Sequence, residues 1–167
     1  MVPPLVNALA ALGPDIIIHS DMKRTRAIAT PLAAKLGITP IAEPLWRERD
    51  FGEWEGRRWN AIYRETGNAM DGMIDDPEHF RPGGGETTAG LVRRIKWALQ
   101  ALPDARSAVV ISHGGPIACL QLILKGLAFA QLAKMIPKTG EITSLNVGRE
   151  EKVEWKQSDM ASEPIKL

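Results

Sequence analysis

Four short polar stretches contain the residue types that bind anions and transfer protons. The helix predicted to begin near Ser20 has free backbone N–H groups that attract anions, and Arg24 adds a guanidinium that suits phosphate. Glu48 lies among arginines and aromatic residues, where a partly desolvated carboxyl can act as a general acid. In chain order, the stretches are Ser20–Thr25, Arg47–Gly56, Gly83–Thr87 and Ser112–Gly115.

Each stretch also has an ordinary structural interpretation. Ser20 and Asp21 are common helix caps, and Glu48 suits a surface ion pair. The three glycines suit a plain loop in which Glu86 and Thr87 cap the next helix, and a single histidine at a strand end is often a hydrogen-bonded core residue. The joint occurrence of the four stretches, in this order, favours a functional site.

Hydrophobic patterning predicts the elements that position these stretches. Ile16 to Ile18 and Ala108 to Ser112 are runs of apolar residues typical of buried strands. Leu91 to Leu102 repeats apolar residues at helical spacing before Pro103. Further predictions are a helix over Leu5 to Leu12, a helix from a Ser20 or Asp21 cap to Leu36 that Pro31 kinks or divides, and a hairpin of two strands over Ile142 to Val147 and Lys152 to Trp155.

The alternation of helices and buried strands predicts an α/β fold in a single domain over residues 1–167, with a sheet covered on both faces. Sites in such sheets lie beyond the carboxyl ends of the strands, and His19 and His113 follow two predicted strands directly. The irregular span from Ile38 to Arg81 predicts a loop with short helices over the mouth of the site.

Composition excludes several other classes of protein. The 167 residues carry a net charge of +1, which gives no overall signal for nucleic acid or an acidic membrane surface. No apolar run approaches the roughly 18 residues that span a bilayer, and no leader is evident, so we expect a cytoplasmic protein. The single cysteine, Cys119, excludes an intrachain disulfide and is predicted to be a buried thiol.

Taken together, the four stretches resemble the motifs of the histidine phosphatase superfamily, which includes the cofactor-dependent phosphoglycerate mutases. Ser20 to Thr25 is similar to the family's Ser-Asp-Leu-x-Arg-Ala, Arg47 to Gly56 matches its Arg-Glu-x-x-Phe-Gly-x-Trp-Glu-Gly, and Pro82 to Thr87 is similar to its Pro-x-Gly-Glu-Ser, with one extra glycine and a threonine for serine. Ser-His-Gly-Gly is present unchanged at Ser112 to Gly115. The resemblance implies a three-layer α/β/α fold with a mostly parallel sheet.

The resemblance also implies roles for individual residues. Glu48 is the expected proton donor and His113 the second histidine of the pocket, and Arg24, Ser20 and Gly114 are expected to bind the phosphoryl group. Residues expected to line the substrate side or the lid are His19, Arg47, Trp54, Arg57 and Glu86. In the family a histidine attacks phosphorus and no metal or organic cofactor is needed, so the expected partner is inorganic phosphate or a small phosphorylated substrate.

The family's nucleophile motif, Leu-x-Arg-His-Gly-Glu, has no counterpart, since Arg-His-Gly occurs nowhere in the 167 residues. The helix over Leu5 to Leu12 resembles the family's first helix, so the chain is expected to begin after the interior first strand. A sheet without that strand has exposed apolar edges, which favour strand exchange or a homodimer. His19 at a strand end matches no family nucleophile and is expected to be a partly buried residue that lines the site. His79 could reach a substrate from the lid but is expected to be an exposed loop residue.

Two classes of function follow. The first is a phosphomonoester hydrolase, impaired in this chain because the nucleophile is absent; the second is a non-catalytic protein that retains the anion pocket. Phosphoglycerate mutase activity is a further alternative. Hydrolysis is favoured over mutase action, since Phe51 to Gly56 and the modest span to Gly85 resemble the phosphatase branch.

Overall fold

The sheet of this protein has three parallel strands. In a computed structural model, which describes residues 2–148, these are β1 (Ile16–His19), β2 (Ile41–Ala42) and β3 (Ala108–Ile111), in the order β2-β1-β3. β1 lies in the middle, and Ile18 is opposite Val110 of β3. The two apolar runs form strands, as predicted, and the structure shows that these strands are neighbours. β3 is an edge strand of the described sheet.

Helices cover both faces of the sheet. Successive side chains of β1 point to opposite faces, so Ile17 packs with helices α1 and α2 while Ile18 packs with α5 and α6. This arrangement confirms the predicted α/β class. The six helices are α1 (Val2–Ala11), α2 (Lys23–Leu36), α3 (Trp59–Thr66), α4 (Gly72–Asp75), α5 (Thr88–Gln100) and α6 (Gly114–Lys125). None of them has the length and apolar character needed to cross a bilayer.

Helix α2 differs from its prediction at two points. Neither Ser20 nor Asp21 caps it; the helix begins at Lys23, and Met22 is the N-cap residue without a side-chain hydrogen bond. The hydroxyl of Ser20 and the carboxylate of Asp21 have other partners, described below. The helix is also continuous through Pro31, which rules out division, one of the two effects predicted for this proline. Pro31 has no N–H to donate within the helix, and the burial of the next two residues, Leu32 and Ala33, stabilises this turn.

Helices α5 and α6 pack together on the face of the sheet opposite α1 and α2. Thr87 caps α5 by accepting a hydrogen bond from the backbone N–H of Gly90 at 3.0 Å, and Leu91, Ile95 and Ala98 form its buried stripe. Cys119 of α6 is fully buried, as predicted, and burial raises the pKa of its thiol to about 12.

The segment from β2 to α5 is irregular, as predicted. Besides α3 and α4 it contains four short 3₁₀ turns, at Pro44–Trp46, Gly52–Trp54, Gly67–Asp71 and Pro82–Gly84. A fifth 3₁₀ stretch, Phe129–Met135, follows α6 and packs against it.

The predicted hairpin after α6 is wrong in its first strand. Residues 142–147 are described and form no strand, and Ile142 and Val147 are both more than a third exposed. Apolar alternation alone does not make a strand, because a strand also needs a neighbour that accepts its backbone hydrogen bonds. The second predicted strand, Lys152 to Trp155, lies outside the described residues.

Candidate active site

The candidate site lies at one edge of the sheet, where two parallel strands end side by side. β1 ends at His19, which is followed by Ser20, and β3 ends at Ile111, which is followed by Ser112 and His113. The backbone N–H of Ser20 donates to the carbonyl of Ile111 at 3.1 Å, so the strand ends are joined. Polar residues more than 90 positions apart are thereby brought together, as the strand-end argument predicts.

The imidazole of His113 is held by two side chains. Arg24 donates a hydrogen bond from Nε to Nδ1 of His113 at 2.8 Å, and Nε2 lies 2.7 Å from the hydroxyl oxygen of Ser20. Burial, together with the positive charges of Arg24 and Arg94, lowers the pKa of His113 to about 4. His113 is therefore neutral at pH 7.

Ser20 lies behind the imidazole. It is fully buried, and its hydroxyl lies 2.8 Å from the hydroxyl of Thr25, which in turn donates to the carbonyl oxygens of Ser20 and Met22. Arg24 differs, because its side chain is exposed at the mouth and its terminal nitrogens donate to no described group. Of these two predicted phosphate ligands, Ser20 is buried behind the ring, whereas the guanidinium of Arg24 is accessible to a ligand.

Glu48 is placed at the first turn of α6. Its Oε1 accepts from the backbone N–H of Arg49 at 2.9 Å, and its Oε2 lies 3.4 Å from the backbone nitrogen of Gly115. A Cβ atom at position 115 would lie 2.4 Å from Oε1, so the carboxylate fits only because this residue is glycine. The carboxylate of the predicted proton donor therefore contacts Gly115, which comes two residues after the predicted second histidine.

Arg94, which sequence reasoning missed, holds the loop that carries Glu48. From α5 its guanidinium donates to the backbone carbonyls of Leu45 at 2.7 Å, Arg47 at 2.9 Å and Glu48 at 3.3 Å. It also binds both carboxylate oxygens of Glu86, at 2.9 and 2.7 Å. Glu86, predicted to line the substrate side, is therefore engaged in a structural ion pair.

A close backbone contact joins the second and third sequence motifs. The backbone N–H of Glu86 donates to the carbonyl of Asp50 at 2.8 Å. Gly52 has φ +51°, and a Cβ there would lie 2.1 Å from the carbonyl oxygen of Gly83, so no other residue fits without rearrangement. The glycines of both motifs thus serve this contact.

Arg49 follows Glu48 in the chain and is a buried part of this site. It is 6% exposed, its guanidinium carbon lies 5.9 Å from the centre of the Phe51 ring, and burial lowers its pKa. The charges of Glu48 and Glu86 partly offset that effect. A buried cation therefore stands beside the Glu48 carboxylate.

The remaining predicted residues lie around this centre. Arg47 forms a two-pronged ion pair with Asp21, which joins the Glu48 loop to the start of α2. His19 is buried, with Nδ1 2.5 Å from the carbonyl oxygen of Ser20.

The predicted lid residues are engaged with neighbours in the irregular segment. Arg57 pairs with Glu65, and the Trp54 ring packs 6.3 Å from that of Phe80. His79 is exposed and lies 2.9 Å from Asp76.

The structure is thus a parallel α/β sheet with His113 and Arg24 in contact beside adjoining strand ends and the Glu48 carboxylate at the first turn of α6. The sequence profile of the histidine phosphatase superfamily, branch 1, matches residues 3–158. The chain belongs to this superfamily, which confirms the resemblance inferred from the four motifs.

Individual relatives agree with this assignment. The probable phosphoglycerate mutase of Yersinia pestis (strain Pestoides F) is 32% identical over 114 residues, which cover 66% of this chain and 53% of that protein. A similar protein of Erwinia tasmaniensis is 29% identical over 119 residues, covering 70% of this chain and 55% of its own. The chain spans about half the length of the curated relatives it matches.

Solved structures share the fold. The mycobacterial glucosyl-3-phosphoglycerate phosphatase in complex with VO3 superposes with a TM-score of 0.69 at 25% identity, covering 78% of this chain and 68% of its own. The α-ribazole phosphatase of Shigella flexneri gives a TM-score of 0.66 at 20% identity, covering 78% and 66%.

Proposed function

We propose that this chain carries the phosphoester pocket of a phosphomonoester hydrolase that acts on a small phosphorylated metabolite. The observation that carries the proposal is the meeting of Arg24, His113 and Glu48 at one sheet edge. Arg24 offers free guanidinium nitrogens to an oxyanion, and the N-terminal turn of α6 adds backbone N–H groups.

The proposed chemistry assigns Glu48 to the leaving group. Its carboxyl lies beside the first turn of α6, where a protonated Glu48 could pass its proton to the departing alkoxide. Gly114 follows His113 at the start of α6, so its backbone N–H is a candidate for the phosphoryl oxygens. The reaction, as the family resemblance implies, needs no metal or organic cofactor, and a cytoplasmic location is part of the proposal.

Hydrolysis by the 167-residue chain is proposed to be impaired. No Arg-His-Gly occurs in the sequence. In the ligand-free protein both ring nitrogens of His113 are hydrogen-bonded, and His19 is buried with Nδ1 2.5 Å from a carbonyl oxygen, so neither of these two histidines presents an exposed, unbonded nitrogen for attack on phosphorus.

The same observation supports the second candidate, a non-catalytic protein that binds a phosphoester. Mutase activity, which the name of the Yersinia relative suggests, has weaker support, because the Arg47 to Gly56 stretch resembles the phosphatase branch. All three candidates require the anion pocket, so anion binding is the property to test first.

Calorimetric titration of the chain with inorganic phosphate tests the pocket. Arg24→Ala is expected to weaken binding by about 10- to 100-fold, the value of one or two charge-assisted hydrogen bonds. Arg26→Ala, two residues along the same helix and exposed, is the matched control and should bind as the wild type does. Equal affinity in both variants would contradict the pocket.

Turnover of p-nitrophenyl phosphate then separates the candidates. Measurable turnover that His113→Ala abolishes would show that the account of the absent nucleophile is wrong. Phosphate binding without turnover is the result expected of the impaired hydrolase and of the binding protein alike. Slow turnover that Glu48→Gln reduces further favours the hydrolase.

A further inference from the structure

The hydrogen bonds around His113 fix where its ring proton lies. Arginine is only ever a donor, so Nδ1 must accept from Arg24 and the proton of the neutral ring must be on Nε2. Nε2–H then donates to the Ser20 hydroxyl, which donates to Thr25, whose own hydrogen goes to backbone carbonyls. In this series of hydrogen bonds every donor therefore meets an acceptor.

Burial preserves the inner hydrogen bonds of this series, which join Nε2 of His113 to Ser20 and Ser20 to Thr25. Ser20 is fully buried and Thr25 is 2% exposed, so no solvent replaces either hydroxyl. The outer half is different, because the Arg24 side chain that covers Nδ1 is exposed and can turn toward a ligand. Nδ1 is therefore the nitrogen of His113 that can change partners.

An oxyanion bound by Arg24 would meet the wrong group at Nδ1. The unprotonated nitrogen presents a lone pair, which repels an anion and cannot donate to it. A proton on Nδ1 converts this position into a charged donor, and charge-assisted hydrogen bonds to oxyanions are about twice as strong as neutral ones.

We propose that a tetrahedral oxyanion enters this pocket together with a proton taken up from solvent at Nδ1 of His113, and that Ser20 is the positioning residue that accepts the ring's other proton. The proposal rests on the anion pocket of the proposed function. It assigns Ser20 an effect on the ligand through His113 rather than by direct contact.

The charges around the ring set the direction of the effect. Arg24 on α2 and Arg94 on α5 face the ring with positive charge, and Glu48 brings a negative charge near the same turn. In the free protein, burial and the two arginines lower the pKa of His113 to about 4. A bound dianion offsets the arginine charges and raises that pKa, so anion affinity increases as the pH falls between the bound and free values.

Sulfate is the suitable probe, because it stays a dianion across the working range and releases no proton of its own. Titration of the 167-residue chain with sulfate from pH 5 to pH 8, in buffers of different ionisation enthalpy, counts the protons taken up. Uptake approaching one proton is expected, with an affinity that rises by up to tenfold for each pH unit lost. His113→Gln should bind without uptake, and His79→Gln, which removes an exposed histidine, should behave as the wild type does.

Ser20→Ala tests the positioning role. It leaves Nε2–H without its acceptor, so sulfate affinity is expected to fall by about 5- to 10-fold at low pH, where the ring is doubly protonated. Ser20→Thr, which keeps the hydroxyl, should recover most of that loss. A loss that is equal at every pH would overturn the positioning role.

The wild-type titration does not depend on any variant folding. Sulfate binding with no proton uptake at any pH overturns the proposal and leaves the anion pocket standing, because Arg24 would then bind the anion while still donating to Nδ1. Failure of both sulfate and phosphate to bind contradicts the proposed function itself.

Discussion

The two halves of the candidate site are held in different ways. The half that carries Glu48 is held by Arg94, whose guanidinium satisfies three backbone carbonyls and the Glu86 carboxylate. The imidazole of His113, in the other half, is held through side chains, and its outer partner, Arg24, is exposed. Fixed main-chain contacts keep the acid in place, whereas an exchangeable contact leaves the imidazole responsive to a ligand.

Loss of the Arg94 guanidinium should give the largest effect on stability. Arg94→Ala leaves the partly buried Glu86 carboxylate and three carbonyls without donors, at an expected cost of about 3–5 kcal/mol in the free energy of unfolding. Urea unfolding measures this cost. Arg93→Ala, which removes an exposed pair with Glu78, should cost less than about 1 kcal/mol. Similar costs for the two variants would show that Arg94 is not the anchor.

The responsive half should make stability depend on pH. His113 has a pKa of about 4 in the folded chain against an ordinary 6.5, so below pH 6.5 the unfolded chain binds a proton that the folded chain does not. Unfolding free energy should therefore fall by roughly 2 kcal/mol between pH 7.5 and pH 5. His113→Gln should flatten this slope in urea titrations, and a slope unchanged in that variant would place its origin elsewhere.

The contact between the halves can be probed at Gly115. Gly115→Ala places a Cβ 2.4 Å from Oε1 of Glu48, so the carboxylate must move, at a cost on the order of 1 kcal/mol. In a Glu48→Ala background the same substitution should cost nothing, because the clashing atom is gone. A double-mutant cycle of unfolding free energies measures this coupling, and additive costs would argue against the contact.

The smallest effect is expected where the halves meet at the surface. The Arg47 side chain is 52% exposed, so its ion pair with Asp21 is screened by water despite its two-pronged geometry. Arg47→Ala should lower the unfolding free energy by less than about 1 kcal/mol, and added salt should remove most of that difference. A larger loss that salt does not reduce would show that this ion pair makes a substantial contribution to the stability of the site.

Sequence reasoning succeeded where local chemistry and chain order coincide. The apolar runs before His19 and His113 predicted two strands, and parallel pairing brought their ends together. The motif resemblance predicted Arg24, Glu48 and His113, which the structure places around one sheet edge. The sequence could not predict that the Ser20 hydroxyl binds the His113 ring instead of capping α2, because a serine hydroxyl can make either hydrogen bond.

Arg94 escaped notice because most of its partners are backbone carbonyls, which have no signature in sequence. A signal was nevertheless present, since Arg94 lies beside the apolar stripe of α5 defined by Leu91, Ile95 and Ala98. A cation near a buried stripe needs partners, and that need predicts a structural anchor. The wrong strand over residues 142–147 has the opposite cause, since its local pattern was clear and the described sheet supplies it no neighbour.

The burial of Cys119 makes its thiol a probe of local opening in helix α6. Because it is the single thiol of the chain and fully buried, alkylation can proceed only through openings that expose α6. The rate of modification by a small maleimide, divided by that of a free thiol, then reports how often the helix that begins at the candidate site comes away from the sheet. A ligand that makes these openings of α6 less frequent would lower the modification rate of Cys119.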